Sequence, residues 1–214
     1  KEIEFPGELV GLRWERLGTQ HALKRKMAIA AMTTSSDQET SLGRLFCYLP
    51  TEVKLPIPVF LQLDGHLKAD RERLHDIENN RWNSYLLEQV PSFILNTILK
   101  WRENKELSQE LPNFVPDHPG EDQLKHVFEA VISNCQTAPW VKTFDGWSFP
   151  SKTIMAEAYW YKCFEEYPNF RDEMENVLGK KFMHPDWVTN TSWKTKWRKY
   201  AIPSLTGNDV VEVL

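Results

Sequence analysis

This sequence lacks the features that define several broad classes of protein. It has no apolar run near the roughly 18 residues that a membrane-spanning helix needs, and its first residues do not have the shape of a signal peptide. Its 26 lysines and arginines stand against 30 aspartates and glutamates, a net charge of -4. No global positive field is therefore present to hold a nucleic-acid backbone. We expect a soluble protein that makes no membrane contact.

Cysteine is also scarce. The three cysteines, Cys47, Cys135 and Cys163, are far apart and odd in number. That pattern is typical of reduced core residues and not of a disulfide framework or a zinc site. The six histidines form no pair at metal-ligand spacing. The sequence therefore predicts a cytoplasmic location and gives no support for metal-dependent hydrolysis.

Strand-like segments fill the first part of the chain. Residues 9–16 and 24–32 have this character, and two further strands are predicted at 45–49 and 59–67. Pro50 is expected to end the third strand. The predicted fold class is α/β (α+β), with a mixed sheet of about four strands.

A long helix is predicted to pack on this sheet. Between residues 83 and 101 the apolar side chains recur at three-and-four spacing, which buries one helix face. Pro91 lies inside the pattern and is expected to kink the helix or split it in two.

Residues 105–120 are predicted to be a proline-rich connector, because three prolines stand there among polar residues. It separates an α/β domain at 1–104 from a smaller, mostly helical domain at 121–214 that is rich in tryptophan. The elements predicted in the second domain are helices at 122–131, 153–167 and 171–178, and a hairpin at 141–149 that turns at Asp145-Gly146.

Four blocks of the first domain stand in an order that resembles one known family. They are Leu45-Phe-Cys-Tyr-Leu-Pro-Thr51, Pro58-Val-Phe-Leu-Gln-Leu-Asp-Gly-His-Leu67, Asp70-Arg-Glu-Arg-Leu74 and Arg81-Trp-Asn-Ser-Tyr-Leu-Leu-Glu88. The order resembles the segment after the ATP-binding domain in sacsin-like proteins, relatives of the heat-shock-ninety chaperones among the gyrase, chaperone and histidine-kinase type ATPases. It covers about residues 14–99 and implies the middle region of such an ATPase, which is part of an enzyme and not an enzyme alone.

The resemblance implies a role for Arg71. The corresponding chaperone turn is Ser-Arg-Glu-x-Leu, and its arginine reaches in trans to the terminal phosphate of ATP held in the preceding domain. A guanidinium suits this role because it is always charged and forks onto phosphate oxygens. Arg73 is an alternative and Lys68 a weaker phosphate contact. Asp70 replaces the family's Ser or Asn, and the competing interpretation is that both arginines are surface charges in ordinary ion pairs.

The chain lacks the motifs with which this superfamily binds nucleotide, including the Asp-x-Gly-x-Gly turn and the glycine-rich lid. We therefore expect no cofactor in this chain, whereas the resemblance implies ATP and magnesium for the parent protein. The implied partners are a nucleotide-binding domain of the same polypeptide and a client protein that ATP-driven closure remodels.

A basic and aromatic stretch near the C-terminus permits other functions. Trp193, Lys196, Trp197 and Arg198 combine the charge and stacking surfaces that nucleic-acid strands or membrane surfaces use, and they are the candidate partner-binding residues. The competing interpretation is an amphipathic helix, with both tryptophans facing inward because they are four residues apart. The alternatives are thus a non-catalytic protein-interaction module, or a nucleic-acid contact in a multidomain defence protein.

Overall fold

The computed structural model describes residues 2–4, 24–31, 43–75, 79–120 and 122–211. The chain divides into two compact units. The first consists of Lys1–Thr97 and His118–Val131, and the second consists of Ile98–Asp117 and Ile132–Leu214. Each unit is therefore assembled from two separate stretches of sequence.

The first unit contains the mixed four-stranded sheet that the sequence predicts, and the fold is α+β. A short antiparallel ribbon of β1 and β2 accompanies it. The strands of the unit are β1 (Glu2–Glu4), β2 (Lys24–Lys26), β3 (Ala28–Ala31), β4 (Gly43–Cys47), β5 (Leu49–Leu55) and β6 (Val59–Gln62). The order in the sheet is β3-β6-β4-β5, in which β4 and β6 run parallel and the other neighbours antiparallel.

The strand boundaries differ from the prediction in several places. Pro50 does not end a strand, because it is the second residue of β5. A proline is tolerated there since β5 is an edge strand of the described sheet and needs fewer backbone donors. Strand β6 is also shorter than the predicted 59–67. The predicted strand at 9–16 lies outside the described residues. The single strand predicted at 24–32 is present as two short strands, β2 and β3, and β5 is a strand that the sequence pattern did not predict.

The long helix is confirmed as α1, Arg81–Trp101. It contains Pro91 and continues through it, so the predicted split does not occur. Its buried residues in the first unit follow the predicted spacing and include Trp82, Leu86, Leu87, Val90 and Ile94. The indole Nε1 of Trp82 donates to the carbonyl oxygen of Asp64, just beyond β6, at 2.7 Å. The start of the helix is thereby fixed to the end of a central strand.

The rest of the described chain is mainly helical. Its helices are α2 (Lys105–Gln109), α3 (Lys125–Gln136), α4 (Ala158–Glu166), α5 (Pro168–Leu178), α6 (Pro185–Val188), α7 (Lys194–Lys199) and α8 (Gly207–Val211). Its strands are β7 (Val141–Thr143), β8 (Gly146–Ser148), β9 (Thr153–Ile154) and β10 (Lys181–Phe182). Single turns of 3-10 helix lie at Leu111–Phe114, Asp122–Leu124, Pro150–Lys152 and Thr191–Trp193.

The predictions for this part are confirmed for the hairpin and for the end of one helix, whereas the three predicted helices begin at other residues, namely Lys125, Ala158 and Pro168. The hairpin is present as β7 and β8. Helix α5 ends at Leu178, as predicted, and the next residue, Gly179, has a φ of 61° that provides the left-handed cap. The helix predicted at 153–167 begins only at Ala158, because Thr153–Ile154 pairs in parallel with β10.

The compact units also divide the chain differently from the predicted domains. Residues 105–117 belong to the second unit, and 118–120 to the first. The reason is burial: Leu111, Phe114 and Val115 are all 0% exposed. A free connector would leave such side chains in water, so the proline-rich segment contributes to a core.

Candidate functional site

The segment His66–His75 folds as a small hairpin that carries the arginines, and we call it the arginine hairpin. Leu67 and Leu74 form an antiparallel bridge within it. At its base the backbone N–H of His75 donates to the carbonyl oxygen of His66 at 2.7 Å. Leu74 is 1% exposed and anchors the segment in the core of the first unit. The sequence block Asp70–Leu74 is therefore presented on a hydrogen-bonded support.

The tip of the hairpin is a tight turn. The N–H of Arg71 donates to the carbonyl oxygen of Lys68 at 2.9 Å, and the N–H of Lys68 donates to the carbonyl oxygen of Arg73 at 3.0 Å. Arg71 has a φ of 63°, in the left-handed region that residues other than glycine rarely adopt. Strained backbone of this kind is concentrated at functional sites.

Asp70 hydrogen-bonds to the backbone of the turn and forms no ion pair with Arg71 among the described contacts. Its Oδ1 accepts a hydrogen bond from the backbone N–H of Glu72 at 3.0 Å, the pattern of an Asx turn. Within the part of the chain that the structure describes, neither Arg71 nor Arg73 forms an ion pair. Their side chains are exposed.

Lys68 and Arg71 line one open groove of about 800 Å³, which we call the arginine groove. The other side chains that line it are Cys47, Tyr48, Leu49, His66, Leu67, Ala69, His75 and Asn80. Among the described residues no carboxylate contributes to this lining. The groove therefore combines two fixed positive charges with two imidazoles and an amide, all of which can face an anion.

Arg73 lies elsewhere, although it is only two residues from Arg71. It lines a second groove of about 780 Å³ together with Glu52, Lys54 and His118. The negative charge of Glu52 in that groove offsets part of the positive charge of Lys54 and Arg73. The structure thus places Lys68 and Arg71 together and separates Arg73 from them.

An exposed apolar corner borders the arginine groove. Tyr48 is 72% exposed and Leu49 is 56% exposed, and both line the groove. Tyr48 also has a left-handed φ, of 66°. The sequence pattern predicts only a strand for this Phe-Cys-Tyr-Leu block, and it does not indicate that Tyr48 lies in the turn between β4 and β5.

The second candidate set is mostly buried. Trp193 is 7% exposed, Lys196 7% and Trp197 1%, whereas Arg198 is exposed. The prediction that these four residues bind a partner or a nucleic acid is therefore wrong for the first three, because buried rings and amines cannot stack on a strand or reach its phosphates. The amphipathic-helix interpretation is confirmed by α7 and the 3-10 turn before it.

The tryptophans make the aromatic core of the second unit. Trp187 and Trp197 stack with ring centroids 6.0 Å apart and an interplanar angle of 9°. Trp140 stacks on Trp197 at 6.1 Å, and Trp193 meets Trp187 edge-on at 6.2 Å. The predicted tryptophan-rich cluster is present, and it has the role of packing.

Lys196 is held inside this unit by backbone oxygens. Its Nζ donates to the carbonyl oxygens of Pro112 and Val115. Burial lowers the pKa of Lys196 to about 8, against a weaker opposing effect of Asp117. Burial also raises the pKa of the Cys135 thiol to about 12, so that thiol stays protonated and unreactive at neutral pH.

No protein-family model, no curated protein and no solved structure matches this chain. Among the described residues, no three His, Cys, Asp or Glu side chains come together to hold a metal ion. None of the described helices combines the length and apolar character that crossing a bilayer requires.

Proposed function

We propose that the arginine hairpin contacts a phosphate group, and that Arg71 supplies this contact to the terminal phosphate of ATP held by a nucleotide-binding domain of the same polypeptide. By this proposal the chain is the arginine-donating part of a sacsin-like, heat-shock-ninety-like ATPase. ATP binding would bring the nucleotide-binding domain onto the arginine groove, and helix α1 would pass this docking on to a client protein.

The observation that carries the proposal is the charge of the arginine groove. Lys68 and Arg71 line it together, and no described carboxylate opposes them. An anion entering the groove meets two cations, and none of the described residues that line the groove beside them carries a carboxylate. A polyphosphate, with several closely spaced negative oxygens, matches this arrangement better than a single carboxylate does.

The conformation of Arg71 also supports this role. The turn hydrogen bonds hold its backbone at a φ of 63° while the side chain stays exposed. Less conformational freedom is then lost when the guanidinium binds. A bidentate contact with two phosphate oxygens stabilises the charge that develops as the phosphoryl group leaves.

We do not assign the binding of magnesium or of the nucleotide base to any of the described residues. We assign them to the nucleotide-binding domain, and to this chain only the phosphate contact. We place the protein in the cytoplasm because its cysteines, which are free in the structure, show no sign of a disulfide framework.

Titration of the chain with tripolyphosphate, followed by NMR, tests the phosphate contact. We expect amide shifts in the arginine hairpin and an affinity that falls about tenfold in Arg71→Ala, since a charged hydrogen bond contributes about 1.5–3 kcal/mol. Arg73→Ala is the matched control, because it removes an equal charge from a different groove. Equal losses in both variants would show that only net charge matters and would contradict the proposal.

The ATPase role needs a second measurement, on a polypeptide in which this chain is joined to its nucleotide-binding domain. Arg71→Ala is expected to lower the ATP hydrolysis rate about tenfold or more with nucleotide affinity retained. An unchanged rate with a tenfold loss of tripolyphosphate binding would leave phosphate sensing without a catalytic contribution.

A non-catalytic protein-interaction module is the second candidate. The exposure of Tyr48 and Leu49 at the edge of the arginine groove favours it, because exposed aromatic and aliphatic pairs are common anchors of interfaces. If this function is the correct one, Tyr48→Ala removes partner binding while Arg71→Ala leaves it intact. We do not propose a nucleic-acid contact, since the tryptophans that suggested it are buried.

A further inference from the structure

Asn83 connects the start of helix α1 to both strands of the arginine hairpin. Its side chain is buried, with the residue 1% exposed. The Oδ1 accepts from the backbone N–H of His66 at 2.7 Å. The Nδ2 donates to the carbonyl oxygens of His66 at 2.9 Å and His75 at 3.2 Å. One amide group thus closes the base of the hairpin from both sides.

Neighbouring residues at the helix start support the same base. The Oδ1 of Asn80 accepts from the N–H of Asn83 at 3.0 Å, as a helix N-cap does. The Nδ2 of Asn80 donates to Nδ1 of His66 at 3.2 Å. The imidazole of His66 stacks on the indole of Trp82 at 5.5 Å, with an interplanar angle of 9°. The Trp82-Asn83 pair of the sequence block therefore acts on the hairpin as well as beginning a helix.

We propose that Asn83 is a positioning residue that holds the arginine hairpin, and with it Arg71, in the geometry that binds phosphate. This inference rests on the proposed function. Asn83 does not line the arginine groove and so acts through His66 and His75, which lie five and four residues along the chain from Arg71 at the tip of the same hairpin. It also joins the hairpin and the first turn of α1 by hydrogen bonds. A phosphate bound at the tip is therefore expected to change the hydrogen bonds at the start of the helix.

The chemistry of the site requires an asparagine. An N–H group and two carbonyl oxygens need one acceptor and two donors, which is the inventory of a primary amide. An aspartate supplies the acceptor but places a carboxylate against two carbonyl oxygens. Gly65 packs beside the Asn83 amide, and the space there is limited. A Cβ at Gly65 would lie 3.4 Å from the Oδ1 of Asn83 and 2.8 Å from the side chain of Leu74.

The test compares Asn83→Ala with Leu87→Ala in the full chain. Leu87 is 2% exposed on the same helix and its aliphatic side chain has no group that can hydrogen-bond to the hairpin, so its loss lowers stability without releasing the hairpin base. We expect tripolyphosphate affinity to fall about tenfold in Asn83→Ala and to be unchanged in Leu87→Ala. Amide exchange provides a local readout: Lys68 and His75 should lose protection in Asn83→Ala while Ile94 keeps its protection. Should Asn83→Ala not fold, Asn83→Ser, which is uncharged and keeps a small polar group, carries the same comparison.

Each outcome decides between the two proposals. Affinity lost in Arg71→Ala but unchanged in Asn83→Ala would overturn this inference and leave the proposed function standing. Equal losses of affinity in Asn83→Ala and Leu87→Ala would also overturn it, because general destabilisation would then be the cause. Absence of tripolyphosphate binding in the unaltered chain would overturn the proposed function and this inference with it.

Discussion

The Nζ of Lys196 donates a hydrogen bond of 2.5 Å to the carbonyl oxygen of Pro112, a residue 84 positions earlier in the sequence. The hydroxyl of Tyr200 donates to the carbonyl oxygen of Pro116 at 2.7 Å, again across 84 positions. Helix α7 and its flanks therefore hold the proline-rich segment. Two segments that the sequence presents as a connector and an exposed contact surface are partners in one core.

The burial of Lys196 predicts a pH dependence of stability. Its folded-state pKa is about 8, below the ordinary value of 10.5, so between these values the unfolded chain binds the proton that the folded chain does not. The free energy of unfolding therefore rises with pH through this window, by about 1.4 kcal/mol per pH unit from this residue. Urea unfolding of the unaltered chain and of Lys196→Met, at pH 8, 9 and 10, measures it.

The expected result is that the free energy of unfolding of the unaltered chain, minus that of Lys196→Met, increases with pH. Lys199→Met is the control, because Lys199 is exposed on the same helix and should show no such growth. A difference that stays constant from pH 8 to 10 would mean that Lys196 keeps its proton in the folded chain.

Glu175 is expected to stabilise the end of helix α5. Its carboxylate is 2% exposed, accepts from Lys181 Nζ at 2.6 Å, and accepts from the buried backbone N–H of Phe182 at 2.9 Å. Glu175→Ala leaves that N–H without an acceptor and should cost about 3 kcal/mol, whereas Glu175→Gln keeps an acceptor and should cost about 1 kcal/mol. Equilibrium unfolding in urea gives both values.

Glu173→Ala provides the control for this pair, since Glu173 is exposed on the same helix. It should change the free energy of unfolding by less than about 0.5 kcal/mol. Equal costs for the alanine and glutamine variants at position 175 would show that the contact with Phe182 contributes nothing.

Gly43 is predicted to tolerate no side chain. A Cβ at this position would lie 2.2 Å from the carbonyl oxygen of Val59 and 2.3 Å from that of Ile57, and neither backbone atom can move without distorting the sheet. Gly43→Ala should destabilise the chain by about 3 kcal/mol. Gly207→Ala is the control, because a Cβ there meets no atom within 4 Å. Thermal unfolding of the two variants compares them, and similar midpoints would contradict the close approach.

Arg71→Gly should separate stability from binding. Glycine adopts a φ of 63° without the cost of about 1–2 kcal/mol that other residues incur, although it also raises the entropy of the unfolded chain. We expect unfolding free energy equal to that of the unaltered chain or up to about 1 kcal/mol higher, with tripolyphosphate binding lowered as in Arg71→Ala. A large loss of stability would mean that the Arg71 side chain supports the turn itself.

Local patterns in the sequence predicted the fold well. The three-and-four spacing from Leu86 to Ile94 identified α1, and Gly179 marked the end of α5, because helix periodicity and capping depend on near neighbours. The mixed sheet followed from strand-like segments. The sequence also identified Lys68 and Arg71 as charges on one turn. The family resemblance and the phosphate role that it implies are still predictions.

The tertiary structure decided what the local patterns left open. Trp193 and Lys196 satisfy the pattern of an exposed contact surface and of a buried helix face equally. Both residues are buried in the structure. The carbonyl oxygens of Pro112 and Val115 accept hydrogen bonds from the Nζ of Lys196, and these acceptors come together only once the chain has folded. Likewise, the tertiary structure places Arg71 and Arg73 in different grooves and gives the side chain of Asn83 three hydrogen bonds to His66 and His75. Spacing along a chain specifies which face of an element is apolar, whereas the partner of each polar group depends on the path of the whole chain.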